Sequence, residues 1–159
     1  MSNSDDQPLL KRSPIPLEDC GMALAATVIG DRWSLLILRA LLYGVRRFDD
    51  LKADLNISSA TLTQRLAKLD EVDLITDRPY RDGTARTRKE YVLTEQGAAL
   101  RTVLFAMMRW ADVHLSDKPS SLTAVSKTSG ETLAIAFVDS SGQAVEESDI
   151  DMQVREKPA

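Results

Sequence analysis

Between Asn56 and Thr94 the chain carries side chains suited to bond base edges and neutralise phosphates, in two consecutive blocks. The first holds Ser58, Ser59, Ala60, Thr61, Thr63, Gln64, Arg65 and Lys68. With Leu62 on a buried stripe, helical geometry brings Leu66 and Leu69 within about 40° of it. Ala60, Thr61, Gln64, Ala67 and Lys68 then face the opposite way, with Thr63 and Arg65 on the flanks. Small residues near the helix start let a backbone approach a major groove. Thr61, Thr63 and Gln64 can bond base edges, glutamine being suited to adenine, while Arg65 and Lys68 can reach guanine or phosphate. Ser58 and Ser59, at the helix start, can bond a phosphate with help from free backbone amides. Taken alone, the same pattern fits an ordinary amphipathic surface helix.

The second block is cationic. Arg78, Arg81, Arg86, Arg88 and Lys89 fall within twelve positions around Asp82-Gly83, opposed by Asp77, Asp82 and Glu90. The flanking segments, 72–80 and 87–93, read as the strands of a hairpin. Arginines on a hairpin tip can enter a minor groove or straddle its phosphates. A lone hairpin of this kind reads as a charged, aggregation-resistant edge. Placed directly after a reading helix, it gives the layout of a winged helix-turn-helix and points to DNA. Arg46 and Arg47, further upstream, join the candidate DNA contacts.

The elements that must hold these blocks follow from apolar spacing. A first helix begins near Leu17, includes Leu24 and Val28, and stops at Gly30. Asp31 is a fit N-cap for a helix over 32–42. There Trp33, Leu36, Ile37, Ala40 and Leu41 form a buried face, widened by Leu35, Leu38 and Leu42. Such a helix belongs at the centre. Residues 45–48 suit a short strand, and 49–55 a short helix with Phe48, Leu51 and Leu55 inward. Asn56 turns the chain, and Ser58 caps the reading helix. Thr94 caps a long last helix to about Leu115. Its apolar set, Leu100, Val103, Leu104, Met107, Met108, Ala111 and Leu115, is too broad for one small core and calls for a partner helix.

The expected fold class is mainly α with a small β component, in three parts. Residues 1–16 form a flexible arm, 17–118 a winged-helix DNA-binding and dimerisation domain, and 119–159 a β-rich appendage. Strands are expected in the appendage at 122–128, 132–138 and 150–154.

The net charge of −4 is unevenly spread. Residues 1–31 hold 2 basic and 5 acidic side chains, residues 32–109 hold 14 and 10, and residues 110–159 hold 4 and 9. A local positive surface is what a duplex needs, and only the central segment has one. A single cysteine, Cys20, and a single histidine, His114, exclude a disulfide framework and Cys- or His-rich metal sites. No nucleophile–base spacing or Gly-rich phosphate loop occurs, so neither catalysis nor a cofactor or metal is expected. No apolar run approaches the roughly 18–20 residues of a bilayer span, and the N-terminus lacks a signal-peptide core. A cytoplasmic protein without membrane contact is the expectation.

Taken in order, these motifs resemble the HxlR-type transcriptional regulators, a winged-helix family close to the MarR group. The resemblance runs from Cys20 to about Leu115. It rests on Val28-Ile29-Gly30-Asp31-Arg32-Trp33-Ser34-Leu35-Leu36-Ile37-Leu38-Arg39, then Gly44-Val45-Arg46-Arg47-Phe48-Asp49-Asp50-Leu51 and Ile57-Ser58. It continues through Thr61-Leu62-Thr63-Gln64-Arg65-Leu66 and Tyr91-Val92-Leu93-Thr94-Glu95-Gln96-Gly97. The resemblance implies a homodimer joined by its first and last helices, with Leu24, Leu104, Met107, Met108, Ala111 and Leu115 at the interface. It implies double-stranded DNA as partner, in the form of a pseudo-palindromic operator, and a repressor or activator role. Two departures stand out: Gly21 replaces the proline usual after the cysteine, and Glu71-Val72-Asp73-Leu74 lacks the usual glycine.

Cys20 is a candidate redox sensor, since some relatives sense oxidants through a cysteine at this place. The positive end of the first helix favours a thiolate, whereas Glu18 and Asp19 oppose it. A small buried apolar residue is the plainer reading of the same cysteine. A small-molecule effector would fit a pocket near Trp33, Met107 and Trp110, residues that also suit a core. The alternative function is a winged-helix protein-interaction module without an operator.

Overall fold

The computed structural model describes residues 13–81, 83, 87–118 and 120–154. Arg86, expected on the hairpin, lies outside them. The chain divides into two compact units. One is Gly21–Pro119, and the other gathers the described residues on either side of it. Residues 13–16 group with the C-terminal segment, and 17–20 lie outside the helical unit.

The larger unit is built around α2 (Arg32–Leu42). Ile37, Leu38, Ala40 and Leu41 are buried, and α2 packs on α1 (Gly21–Ile29), α3 (Phe48–Leu55), α4 (Ser59–Glu71), β2 (Arg88–Leu93) and α6 (Arg101–His114). It is thus the central helix its apolar circumference demands. Leu51, Leu62, Leu66, Leu69, Leu74, Ile75 and Leu104 complete the core. At the end of α3, Asn56 takes a left-handed conformation (φ 47°) and turns the chain towards Ser58. Among the described residues no single helix is long and apolar enough to cross a membrane.

β1 (Ile75–Tyr80) pairs antiparallel with β2, with Ile75 opposite Leu93 and Tyr80 opposite Arg88. β1 starts at Ile75, later than expected, because Asp73 sits at φ 57° and turns the chain first. Aspartate tolerates this region, so it does the work of the missing glycine. The strand expected over 45–48 reduces to one bridge, Arg47 to Glu90, together with a hydrogen bond from the Tyr91 N–H to the Arg46 carbonyl (2.8 Å). α3 already begins at Phe48 and limits the strand.

The long last helix is divided. α5 (Glu95–Ala99) and α6 are separated by Leu100, whose N–H donates to the Gly97 carbonyl at 3.2 Å in a tightened turn. Apolar spacing survives such a turn, so periodicity did not reveal it. Leu104 is a correction. It was expected at a dimer interface but is only 6% exposed and belongs to the core. Met108 and Ala111 are half-buried, whereas Leu24, Met107 and Leu115 remain exposed.

Described by itself, the second unit contains a short 3-10 turn (Leu17–Asp19), the hairpin β3 (Phe137–Val138) with β4 (Ala144–Val145), and a bridge from Val125 to Thr132. The strand expected over 150–154 does not form, and the other two are shorter than alternation suggested. None of residues 120–154 is buried, so alternation there lacks a core to enforce extended pairing.

Gly97 makes the closest backbone approach in the larger unit: a Cβ there would lie 1.9 Å from the Leu74 carbonyl oxygen. Thr94 fixes this contact, donating its N–H to that same oxygen (3.1 Å) while its hydroxyl accepts from the Gly97 N–H (3.1 Å). Gly97→Ala must displace the β1 entry, and should cost about 1–3 kcal/mol in urea unfolding, as overpacking does. A midpoint equal to wild type would show that the junction yields freely.

Candidate nucleic-acid interface

The Ser58 hydroxyl begins α4. It accepts from the Thr61 N–H (3.1 Å) and shares a second hydrogen bond with the Thr61 hydroxyl (2.8 Å). Leu62, Leu66 and Leu69 are buried, while Ser58, Ser59, Ala60, Thr63 and Gln64 are exposed. The helix therefore presents the small polar face that its wheel requires. Thr61 is half-buried and its hydroxyl is engaged in the cap, so it stands at the edge of that face.

Arg65 and Lys68 depart from expectation. Both were expected to reach outward to guanine or phosphate, yet each has a partner inside its own unit. Lys68 Nζ donates to the Thr27 carbonyl in the last turn of α1, at 2.9 Å. Arg65 Nε lies 3.4 Å from Asp31 Oδ1, an ion pair without a hydrogen bond, with its side chain 27% exposed. Local spacing carries no sign of either contact, because both partners are distant in the chain.

Asp31 is thus shared between two elements. Its carboxylate accepts from the Trp33 and Ser34 N–H groups (3.1 Å each) and from the Ser34 hydroxyl (2.6 Å). Burial pushes this carboxyl up. Hydrogen bonds from the Ser34 side chain and backbone, the Arg65 charge and the Trp33 amide outweigh it, and the net effect holds the carboxyl below its ordinary value. Gly30 permits the sharp corner before it, since a Cβ would meet the Ala26 carbonyl oxygen at 2.3 Å. The axes of α1 and α2 diverge there by 80°.

The hairpin is partly self-neutralised. Arg78 pairs with its cross-strand neighbour Glu90, and Lys89 Nζ lies 3.2 Å from the Asp77 carboxylate. Arg46, Arg47, Arg81 and Arg88 are exposed. Arg47 stacks on Tyr80, its guanidinium carbon 4.5 Å from the ring centre. An open groove of about 530 Å³ lies between the start of α3 and the hairpin, lined by Arg47, Asp49, Asp50, Tyr80, Arg88 and Lys89 among others. Tyr91 also lines it. Burial, with the Asp77 carboxylate, raises its phenol above the ordinary value against the opposing Lys89 charge. It therefore stays neutral. Arg47 was foreseen as a contact, but Tyr80 was not; an aromatic ending a strand beside a cationic run was its only signal.

Helix α4 following α3 through a short turn, with a basic hairpin directly after it, is a winged helix-turn-helix. The HxlR-like helix-turn-helix family matches residues 28–119. The chain belongs to this family. The chain is similar to an HTH-type transcriptional regulator of Mycobacterium bovis, 43% identical over 98 residues. That match covers 62% of this chain and spans only 60% of the regulator's own length. Among solved structures, PA1607, a candidate transcription factor, superposes with a TM-score of 0.70 at 28% identity, over 84% of this chain and 94% of that one. The reduced form of the transcriptional regulator YodB from Bacillus subtilis superposes with a TM-score of 0.52 at 29% identity, over 62% and 97%. The PA1607 match is longer than the Gly21–Pro119 unit, whereas the YodB match is no longer than it. Transcription regulation through a DNA-binding helix-turn-helix is the work of this family.

The shared Asp31 yields a test. Its carboxyl is lowered in the folded chain, so its stabilisation is present above the unfolded value near pH 4 and is lost as pH falls through the folded value. Asp31→Ala should cost about 1–2 kcal/mol at neutral pH through loss of the cap alone. Asp31→Asn should keep most of the cap but flatten the acid limb of stability between about pH 5 and pH 2. Urea midpoints measured from neutral pH down through the acid limb check both, and an Asp31→Asn profile parallel to wild type would contradict the assignment.

Proposed function

We propose that this HxlR regulator acts as a homodimer on a pseudo-palindromic operator, with one α4 in each of two successive major grooves. The observation that carries the reading is the face of α4, where Ser58, Ser59, Ala60, Thr63 and Gln64 stand exposed above a fully buried leucine stripe. Small residues at its start allow close approach, and Gln64 offers both a donor and an acceptor to an adenine edge. The hairpin would lie on the neighbouring minor groove or its phosphates through Arg81 and Arg88, with Arg47 beside it.

Two copies are proposed because α1 and α6 leave apolar side chains uncovered. Met22 and Leu24 are 78% and 70% exposed, and Trp110 and Val113 are 57% and 67% exposed. Exposed apolar side chains on both helices favour burial against a second copy. Closure about a two-fold axis would set the half-sites about one helical turn, or 34–36 Å, apart. Binding over a promoter would then block or re-pose transcription sterically.

Selection of bound sequences from a random duplex pool, followed by sedimentation of the complex, tests symmetry and stoichiometry together. Gln64→Ala should relax preference at one position per half-site by about 1–3 kcal/mol, leaving binding to unrelated sequences unchanged. Equal loss on every sequence would take α4 out of the reading role.

The proposal extends to signal response through Cys20. This thiol is half-exposed and immediately precedes α1, the helix placed here in the subunit contact. Modification there would alter the contact that spaces the two reading helices. Cys20→Ser should abolish any diamide-induced change in operator affinity, and a response retained by the variant would remove the thiol from the mechanism.

A further inference from the structure

We propose that Tyr80 is a positioning residue for phosphate contact, holding the Arg47 guanidinium on the floor of the groove between α3 and the hairpin. The inference rests on the DNA-binding reading and adds to it a residue and a place for one strand of the duplex.

Four observations converge. The Arg47 guanidinium lies 4.5 Å from the centre of the Tyr80 ring. A guanidinium seated over a ring keeps its N–H donors uncommitted, and its planar fork loses little freedom when it then bonds a phosphate. Among the described residues the Arg47 side chain makes no hydrogen bond or ion pair, and it does not cap α3. Its natural competitor is Glu90, which bridges to Arg47 along the backbone, but the Glu90 carboxylate is held by Arg78. The backbone beneath is pinned too, by the Tyr91 N–H on the Arg46 carbonyl.

The surroundings fit a strand of alternating sugar and phosphate. The groove of about 530 Å³ is open to solvent and is lined from β2 by Arg88 and Lys89. A second open groove, lined by Pro79, Tyr80, Arg81 and Thr87, shares Tyr80 and Thr87 with the first. Tyr80 thus lines both grooves, one holding Arg47 and the other Arg81. Asp49 and Asp50, in the first turn of α3, line the other side. Their charges repel phosphate and confine the strand to the Arg47–Tyr80 side. A guanidinium held in one plane would contribute one phosphate contact regardless of base sequence.

The test uses the full chain and a mixed-sequence duplex of about 30 base pairs, with affinity measured against salt concentration. Arg47→Ala should make the slope of log affinity against log salt shallower by about 0.9, the share of one phosphate. Tyr80→Leu should do the same, although it removes no charge, and the double variant should be no shallower than either single one. Tyr80→Phe keeps the ring face and should restore the wild-type slope. Thermal unfolding of each variant reports the fold separately. A wild-type slope for Tyr80→Leu beside a shallower one for Arg47→Ala overturns the positioning role while sparing the DNA reading. A wild-type slope for Arg47→Ala removes phosphate from the groove. No salt-dependent binding by the unaltered chain overturns the DNA reading and this inference together.

Discussion

One carboxylate ties the reading helix to the body of the fold. Asp31 satisfies two of the four orphan amides at the start of α2, binds the Ser34 hydroxyl, and faces Arg65 from α4. Each contact alone is modest. Their position matters more, because α2 is the helix on which the rest of the unit packs. A few residues away, Lys68 takes the Thr27 carbonyl, one of the last orphan acceptors of α1. The corner between α1 and α2 is therefore held from both sides by two cations of the same helix. Those cations face inward and leave the opposite face of α4 small and polar.

This arrangement decides where positive charge is available. The central segment carries a formal excess of basic residues, but the folded chain engages many of them. Arg65 and Lys68 grip the corner, Arg78 neutralises Glu90, and Lys89 faces Asp77. Exposed surface pairs are weak, and salt weakens them further, so phosphates can still compete for Lys89. Arg47 differs because it is stacked rather than paired. On the DNA-binding reading proposed above, base reading and charge neutralisation would fall on different elements, the first on neutral side chains of α4 and the second on the hairpin and the segment before α3.

Local chemistry was legible in the sequence where a side chain bonds its own backbone neighbourhood. Asp31, Ser58 and Thr94 cap the helices they precede, and the Leu62, Leu66 and Leu69 stripe is buried as its spacing requires. The family was legible for the same reason, since its motifs are largely these caps and stripes. What escaped was tertiary. The turn at Leu100 leaves apolar spacing intact, and Leu104 packs in the core rather than on an outer face. Lys68 meets a residue 41 positions away, and Arg78 meets one 12 positions away. The segment after 119 was overread as strand because alternation specifies a face only when something buries that face.

The corner also bears on how a signal could reach the DNA. α1 carries Met22 and Leu24 on its uncovered side, and Thr27 on the turn that Lys68 holds. In the dimer proposed above, the same nine-residue helix (Gly21–Ile29) would touch the other subunit and the reading helix at once. Gly30 leaves no slack behind it, because the turn is closed to a Cβ. A shift of α1 across the subunit contact would then have to move with Thr27 and Lys68, or break their bond. A shift at the subunit contact would then reach α4 through the turn of α1 that carries Thr27.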